Sequence, residues 1–327
     1  MTLLAGITLL LIPTTAVVTH LFANEMHNAS LGQRIRDYGP RLHEKKGGTP
    51  TMGGVVILLM WGLSFLLLSQ FRHPSWKEIF VFLCGLAFGT IGFIDDLLSL
   101  LHKRSLGLSP WQKILLATSL SLVLFFAFPQ LREVPIQIPF SSLTLSLPAP
   151  LSLLLLWGVF LSTTNSMNLT DGLDGLATGA SILILIAYLT IAPALSSITL
   201  PLVGILVGFL WMNTHPAQIF LGDVGSFALG GIVAGLALTS GTALILPLLA
   251  GLLVLESSSV ILQVGYYRLT GKRIFKISPF HHHFEHAEGI DYTYLLPTVE
   301  WSEPKIVMRL WIVQAVFIGL GILAVYR

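Results

Sequence analysis

The sequence predicts an all-α polytopic membrane protein, with about ten transmembrane helices and one polar site on the cytoplasmic face. Three observations predict it. Hydrophobic residues fill 54% of the 327 positions, and charged residues only 10%, against roughly 25% in an ordinary soluble domain. Mean hydropathy is +0.81. The apolar residues are gathered into runs close to the roughly 20 residues that a bilayer crossing needs. This composition excludes a soluble globule, which needs more polar cover for its core. It excludes disorder, which needs low hydrophobicity and high net charge. A net charge of +2 leaves no footprint for nucleic acid. The single cysteine, Cys84, lies in an apolar run and reads as an inert core residue.

Taken in order, the candidate spans cover about 3–23, 52–70, 79–98, 111–128, 150–167, 176–192, 200–213, 224–240, 243–267 and 306–326. They leave little chain for anything else, so residues 1–327 read as a single integral-membrane domain. The first span has no basic residue before it and no small-residue cleavage site, so it reads as a retained helix. The run 200–213 is short for a span. The run 243–267 contains Pro247, which predicts a kink. Between about 130 and 149, Val134-Pro135-Ile136-Gln137-Ile138-Pro139 alternates polar and apolar residues between prolines. This predicts a small hairpin outside the membrane.

Lysine and arginine set the orientation, because they gather on the cytoplasmic side. With the N-terminus outside, the inner loops and helix ends hold Arg34, Arg36, Arg41, Lys45, Lys46, Lys103, Arg104, Lys113, Arg268, Lys272, Arg273, Lys276, Lys305 and Arg309. The outer ones hold Arg72, Lys77, Arg132 and Arg327. The split is 14 to 4 of the 18 basic residues, and an even span count puts both termini in the periplasm. The cytoplasmic loops then cover about 24–51, 97–110, 163–176, 213–224 and 268–305.

The same topology sorts the aspartates. Asp95 and Asp96 end the third span at the inner face. Asp171 and Asp174 follow the fifth span, and Asp223 stands between the seventh and eighth, all inside. His281, His282, His283 and His286 lie on the last inner segment. Solubility alone does not explain such asymmetry; one polar site assembled from several loops does.

Each motif also has a plain structural reading. Asp95-Asp96 reads either as a solvated helix end or as oxygen ligands for a hard divalent cation, which removes the repulsion of adjacent carboxylates. Asn168-Leu169-Thr170-Asp171-Gly172-Leu173-Asp174-Gly175 reads as a turn and helix start. If it is helical, Asp171 and Asp174 share one side at i, i+3. In Phe220-Leu221-Gly222-Asp223-Val224-Gly225-Ser226 a carboxylate sits between glycines at a helix start. Such a terminus favours anions, so Asp223 there would repel a phosphate unless a metal lay between them. Three consecutive histidines do not converge easily on one ion, so phosphate oxygens suit His281-His282-His283 better than zinc. Lys46-Gly47-Gly48-Thr49-Pro50-Thr51-Met52-Gly53-Gly54 reads as a glycine-rich lead into the second span. Glu256 sits within a span, where a carboxylate is a functional candidate by default. It shows no obvious partner in the inner loops and is expected to pair with polar groups inside the bundle.

Gly48-Thr49-Pro50-Thr51-Met52-Gly53-Gly54, Phe93-Ile94-Asp95-Asp96, the segment 168–177, the segment 220–226 and Pro279-Phe280-His281-His282-His283-Phe284-Glu285 occur in that order. Together they resemble the phospho-N-acetylmuramoyl-pentapeptide transferases across essentially the whole chain. The resemblance implies an enzyme of the inner membrane, homodimeric and Mg²⁺-dependent. Its substrates would be UDP-MurNAc-pentapeptide and undecaprenyl phosphate, and its products lipid I and UMP. It implies Asp95, Asp96, Asp223, His282 and His283 as catalytic residues. Asp223 would be the principal Mg²⁺ ligand, with Asp95, Asp96 and Asp171 close by. Lys46, Gly172, Leu173, Asp174, Asn213 and Phe220 would line the nucleotide region. Thr51, Lys103, Asn168, Asp171 and His281 would complete the substrate-binding set. The nearest alternative is a polyprenyl-phosphate GlcNAc-1-phosphate transferase, which shares the aspartate motifs; a cation-coupled transporter would instead place ionisable groups near the bilayer midplane.

Overall fold

The computed structural model describes residues 2–29, 48–102, 107–286, 290 and 292–326. Among them the helices are α1 (Thr2–Asn28), α2 (Gly54–Ser69), α3 (Trp76–His102), α4 (Pro110–Ala127), α5 (Ala149–Thr170), α6 (Leu176–Ile191), α7 (Ser196–Asn213), α8 (Gly222–Ser240), α9 (Leu246–Leu249), α10 (Gly251–Thr270) and α11 (Glu303–Tyr326). The one sheet among these residues pairs β1 (Ile136–Gln137) antiparallel to β2 (Thr144–Leu145), with Ile136 opposite Leu145. It is the hairpin expected between the fourth and fifth helices. The chain is an all-α membrane protein: among the described residues six helices are long and apolar enough to cross a bilayer, namely α1, α3, α4, α7 with the turn before it, α8 and α11. The apolar helices α2 and α6 are shorter.

Helix α8 is the axis of the bundle, 83% buried along its apolar stretch. Helix α3 packs along it through small residues, since helices in lipid gain most by close backbone approach. A Cβ on Gly92 would stand 2.0 Å from the Asp223 carbonyl oxygen, and one on Gly89 would stand 3.2 Å from the Ala228 Cβ. The close approach continues along α3, where a Cβ on Gly231 would stand 2.8 Å from the Cys84 carbonyl oxygen and one on Gly235 3.4 Å from the Cys84 Cβ, while Phe88 turns to α5 and stacks on Phe160 at 4.7 Å between ring centroids. Gly92 is therefore the contact that sets the height of Asp223 against Asp95 and Asp96. We expect Gly92→Ala to force the two helices apart at a cost of about 1–3 kcal/mol. It should lower the melting temperature in detergent and reduce turnover with it, read by thermal unfolding and an activity assay on the same preparation.

Three features differ from the sequence expectations. Helix α3 continues to His102, so Asp95 and Asp96 lie inside a helix rather than at its end; backbone bonding carries the helix past the apolar run. Helix α7 begins at Ser196 after a 3₁₀ turn over Pro193–Leu195, which makes that span longer than the run 200–213. Pro247 does not kink one long helix. It sits in the first turn of the four-residue α9, and the chain breaks after it at Ala250, with φ −117° and ψ 40°. A break inside an apolar bundle frees polar backbone groups that must find partners. Gln314 of α11 satisfies them: its Nε2 donates to the Leu249 carbonyl at 2.7 Å, and its Oε1 accepts from the Leu252 N–H at 3.0 Å.

Candidate active site

The polar groups converge along the last turns of α3, where α4 and α8 begin and α5 ends. Helix α4 starts with a capping box. The Ser109 side chain accepts from the Gln112 N–H at 3.4 Å, the Gln112 side chain accepts from the Ser109 N–H at 2.7 Å, and Pro110 is the first helical residue. Both features favour a fixed helix start, and the first turn they fix carries Lys113. Its Nζ lies 2.9 Å from Asp95 Oδ2 and 2.5 Å from Asp223 Oδ2. Asp223 also accepts from Asn168 Nδ2 at 2.8 Å, and Asn168 reaches Ser226 Oγ at 3.1 Å. Asp96 accepts the Val224 N–H at 3.0 Å, and Asp95 accepts the Leu108 N–H. Asp95 and Asp96 are buried, whereas the Asp223 side chain keeps 25% exposure. Asp223 is thus the carboxylate of the three that a ligand reaches most easily.

The glycine-rich lead into α2 closes one side. Its backbone pairs with the segment before α8: the Gly53 N–H donates to the Phe220 carbonyl at 3.0 Å, the Gly54 N–H to Leu221 at 2.9 Å, and the Phe220 N–H to Pro50 at 2.8 Å. The turn puts Met52 at φ +66°, a strained conformation for a residue with a side chain. It also crowds Gly222, at φ +76°, where a Cβ would stand 2.7 Å from Asp96 Oδ2 and 3.1 Å from Thr51 Oγ1. Glycine at 222 is required by both conformation and space, and Thr51 is brought beside Asp96.

The segment 171–175 is a turn, not a helix, so Asp171 and Asp174 do not share a face as i, i+3 partners. Asp171 faces the cluster. Burial raises its carboxyl pKa to about 8, and the Asp223 and Asp174 carboxylates add to the shift. Asp174 turns the other way, with Oδ2 3.1 Å from His215 Nδ1 and 3.0 Å from the Ala217 N–H. Its backbone N–H donates to Glu303 Oε1 at 2.8 Å. One ligand atom from each of Asp174, His215 and Glu303 lies within 4.8 Å of the others, a set able to hold a metal ion. An acid whose folded pKa is raised binds its proton more tightly when folded. That stability is complete below the ordinary value of 3.8 and is lost as pH rises toward about 8. We therefore expect Asp171→Asn to melt higher than the wild type at pH 7–8 in EDTA, about pH 4 being where the difference vanishes; melting curves across that range check it.

The three histidines point to three partners. His283 Nδ1 accepts the Lys276 N–H at 3.0 Å; burial lowers its pKa, as does the nearby Lys276 ammonium, so its ring is neutral. His282 pairs with Glu285 and is the half-buried member of the triplet. His281 is wholly buried and stands 3.0 Å from Glu256. Burial pushes its pKa down, but the carboxylates of Glu256, Glu285 and Glu303 outweigh burial and hold it above the ordinary value. Glu256 therefore pairs with a loop residue, contrary to the expectation of a partner within the bundle. The loop folds back onto α10, where Gln263 bonds the Phe275 carbonyl and the N–H groups of Ile274 and Phe275.

Asn213 is buried, accepting from Thr178 at 2.8 Å and donating to the Ile219 carbonyl at 2.9 Å. Leu173 is buried, and Gly172 lies against the His281 ring. Lys46 and Lys103 lie outside the described residues. Lys113 is the residue that sequence reasoning missed; alone it reads as one more inner-face charge. The available signal was its place in the first turn after Ser109-Pro110.

The profile of Glycosyl transferase family 4 matches residues 79–241. The phospho-N-acetylmuramoyl-pentapeptide-transferase signature 1 matches residues 46–58. The phospho-N-acetylmuramoyl-pentapeptide-transferase of Clostridium novyi is 39% identical over 92% of this chain and 90% of its own length. That of Caldanaerobacter subterraneus is 40% identical over 93% of each chain. That of Heliobacterium modesticaldum is 41% identical over 91% of this chain and 90% of its own. At such identity over nearly the whole length, the chain belongs to the phospho-N-acetylmuramoyl-pentapeptide-transferase family.

Proposed function

We propose that the Asp95–Asp96–Asp223–Lys113 cluster is the phosphoryl-transfer site of this transferase. The protein transfers phospho-MurNAc-pentapeptide from UDP-MurNAc-pentapeptide to a polyprenyl phosphate in peptidoglycan synthesis. The acceptor is undecaprenyl phosphate, and the products are lipid I and UMP. The observation that carries this reading is the convergence of Asp95 and Asp223 on the Lys113 ammonium, with Asp96 next to Asp95 on the Val224 N–H and Asp223 left accessible. Phosphoryl transfer depends on positioning and charge neutralisation more than on covalent help. Both substrates are anionic, so the bare carboxylates would repel them.

The donor set fits Mg²⁺. It offers hard oxygens, and the Lys113 ammonium already occupies the position of a cation between Asp95 and Asp223. Asp223, Asp95 and Asp96 would hold the ion, with Asp171 beside it. Mg²⁺ there would supply charge neutralisation to the phosphates. Lys113 holds Asp95 and Asp223 together, and Asn168 fixes the rotamer of Asp223. Lys46 and Lys103, which the sequence counts among the cytoplasmic charges, would add positive charge for the anionic substrates. Gly172, Leu173 and Asp174 of the 171–175 turn, with Asn213 and Phe220, shape the nucleotide side. His282 is the histidine placed to meet a phosphate or sugar, with His281 and His283 supporting it.

Asp95 and Asp96 act by placement rather than as a general base. The second pKa of a phosphate monoester is about 6, so the lipid phosphate is mostly dianionic at neutral pH. We expect Asp96→Asn to lose activity about equally across pH 6–9. A strong recovery above the phosphate pKa in the pH–rate profile would make deprotonation the main role.

The full topology belongs to the same reading: ten spans, both termini periplasmic, the site cytoplasmic, and a homodimer in the bacterial inner membrane. Transfer of radiolabel from UDP-MurNAc-pentapeptide to lipid, with and without EDTA, tests the function. Transfer only from UDP-GlcNAc would favour the GlcNAc-1-phosphate transferase, and no transfer would sink both.

A further inference from the structure

Glu256 is a carboxylate within α10 that the phosphoryl-transfer site does not use, and it has no exposed surface. Its Oε2 lies 3.0 Å from His281 Nδ1 and accepts the His281 N–H at 3.3 Å. Glu256 Oε1 and His281 Nε2 are buried and make no hydrogen bond among the described residues. Buried polar atoms without partners are costly, and a pair of apolar side chains packs such a position as well or better. The ionic pair therefore needs a reason other than stability.

Its surroundings supply one. A Cβ on Gly172 would stand 2.2 Å from His281 Nε2, so the ring is the floor on which the 171–175 turn rests. Asp171, next to Gly172, feels the His281 charge. On its other side the His281 ring lies 4.1 Å, centroid to centroid, from the ring of His282, the half-buried histidine of the triplet. One buried side chain thus touches the nucleotide-side turn and the loop histidine together.

We propose that Glu256 is a positioning residue of the transfer site, acting through His281 to set the 171–175 turn and the His282 ring. The proposal rests on the site assigned above. Glu256 anchors the His281 ring from two directions, by its charge on Nδ1 and by the backbone N–H. Without that anchor the ring turns away from Gly172, and both the turn and His282 lose their support. Misplacement of about 1 Å at a reacting group costs up to about a hundredfold in rate.

The test uses full-length protein carrying Glu256→Gln, His281→Gln or both. Four quantities are read: kcat, KM for UDP-MurNAc-pentapeptide, UMP affinity by calorimetry without lipid, and melting temperature. We expect each single variant to lower kcat about tenfold or more and to weaken UMP binding, at a melting temperature well above that of the assay. The double variant should lose no more than the worse single, because one acts through the other. Gly172→Ala, which crowds the His281 ring without removing a buried charge, should give the same losses and serves if the buried variants do not fold. The proposal is overturned if kcat and UMP affinity stay at wild-type values, if the losses multiply in the double variant, or if they vanish on cooling well below the melting temperature. An inactive Asp223→Asn beside a fully active Glu256→Gln would sink this inference alone; an active Asp223→Asn would sink the site on which it rests.

Discussion

Asp223→Asn should lower kcat by roughly 10³-fold while leaving the protein folded. The carboxylate is the accessible member of the three, and the substitution keeps its size and shape. The carbonyl oxygen of the introduced amide still accepts from Asn168, as Asp223 Oδ1 does now at 2.8 Å. The amide nitrogen then faces Lys113, where Oδ2 now stands at 2.5 Å, and two donors do not bond. Lys113 retains Asp95 at 2.9 Å, so no buried charge is stranded. One of three crowded carboxylates has been neutralised, which relieves repulsion within the cluster. The melting temperature should therefore hold or rise as activity disappears. Single-turnover transfer of radiolabel, with thermal unfolding of the same sample, separates the two effects. Retention of more than about a tenth of wild-type kcat would remove Asp223 from the centre of the site.

Lys113→Met should act in the opposite sense on stability and in the same sense on activity. Methionine matches the length of the lysine stem but leaves Asp95 and Asp223 facing each other with no cation between them. Removing one partner of a buried pair strands charge, at about 3–5 kcal/mol. The site is partly open, with 17% exposure at Lys113, which places the loss at the lower end. In EDTA the variant should melt well below the wild type. Added Mg²⁺ should recover much of the difference, because a bound cation restores neutrality to the same carboxylates. Activity should stay low, about a hundredfold down, even at saturating Mg²⁺. Lys113→Arg is not a neutral control, since a planar fork cannot sit as a point charge between two carboxylates. An unchanged melting temperature in EDTA would show that Lys113 is dispensable to the cluster.

The aspartates of this site were legible in the chain because charge is scarce in it. Each carboxylate in an apolar sequence needs a reason, and sorting them by side collected Asp95, Asp96, Asp171, Asp174 and Asp223 on one face. Lys113 was not legible for the same reason reversed. Basic residues at the inner face are ordinary, and nothing in its neighbours marks it apart from the capped helix start before it. Glu256 was recognisable as an anomaly, but its partner lies 25 residues further on, across a loop whose fold no local pattern encodes.

The sequence by itself determined the helical membrane architecture, the motifs that mark the family and the face on which they gather. These follow from the length of apolar runs, from charge bias and from residues whose spacing is local. Tertiary structure decided which of those residues meet. It decided that Asp171 joins the cluster while Asp174 turns to His215 and Glu303, that Lys113 bridges two aspartates, and that the buried pair beneath Gly172 reaches from α10 into the loop. The physical reason is the glycine seam between α3 and α8 and the backbone pairing of the segments around Gly53 and Phe220. Those close approaches fix distances between side chains far apart in sequence, and such distances have no signature in the order of the residues.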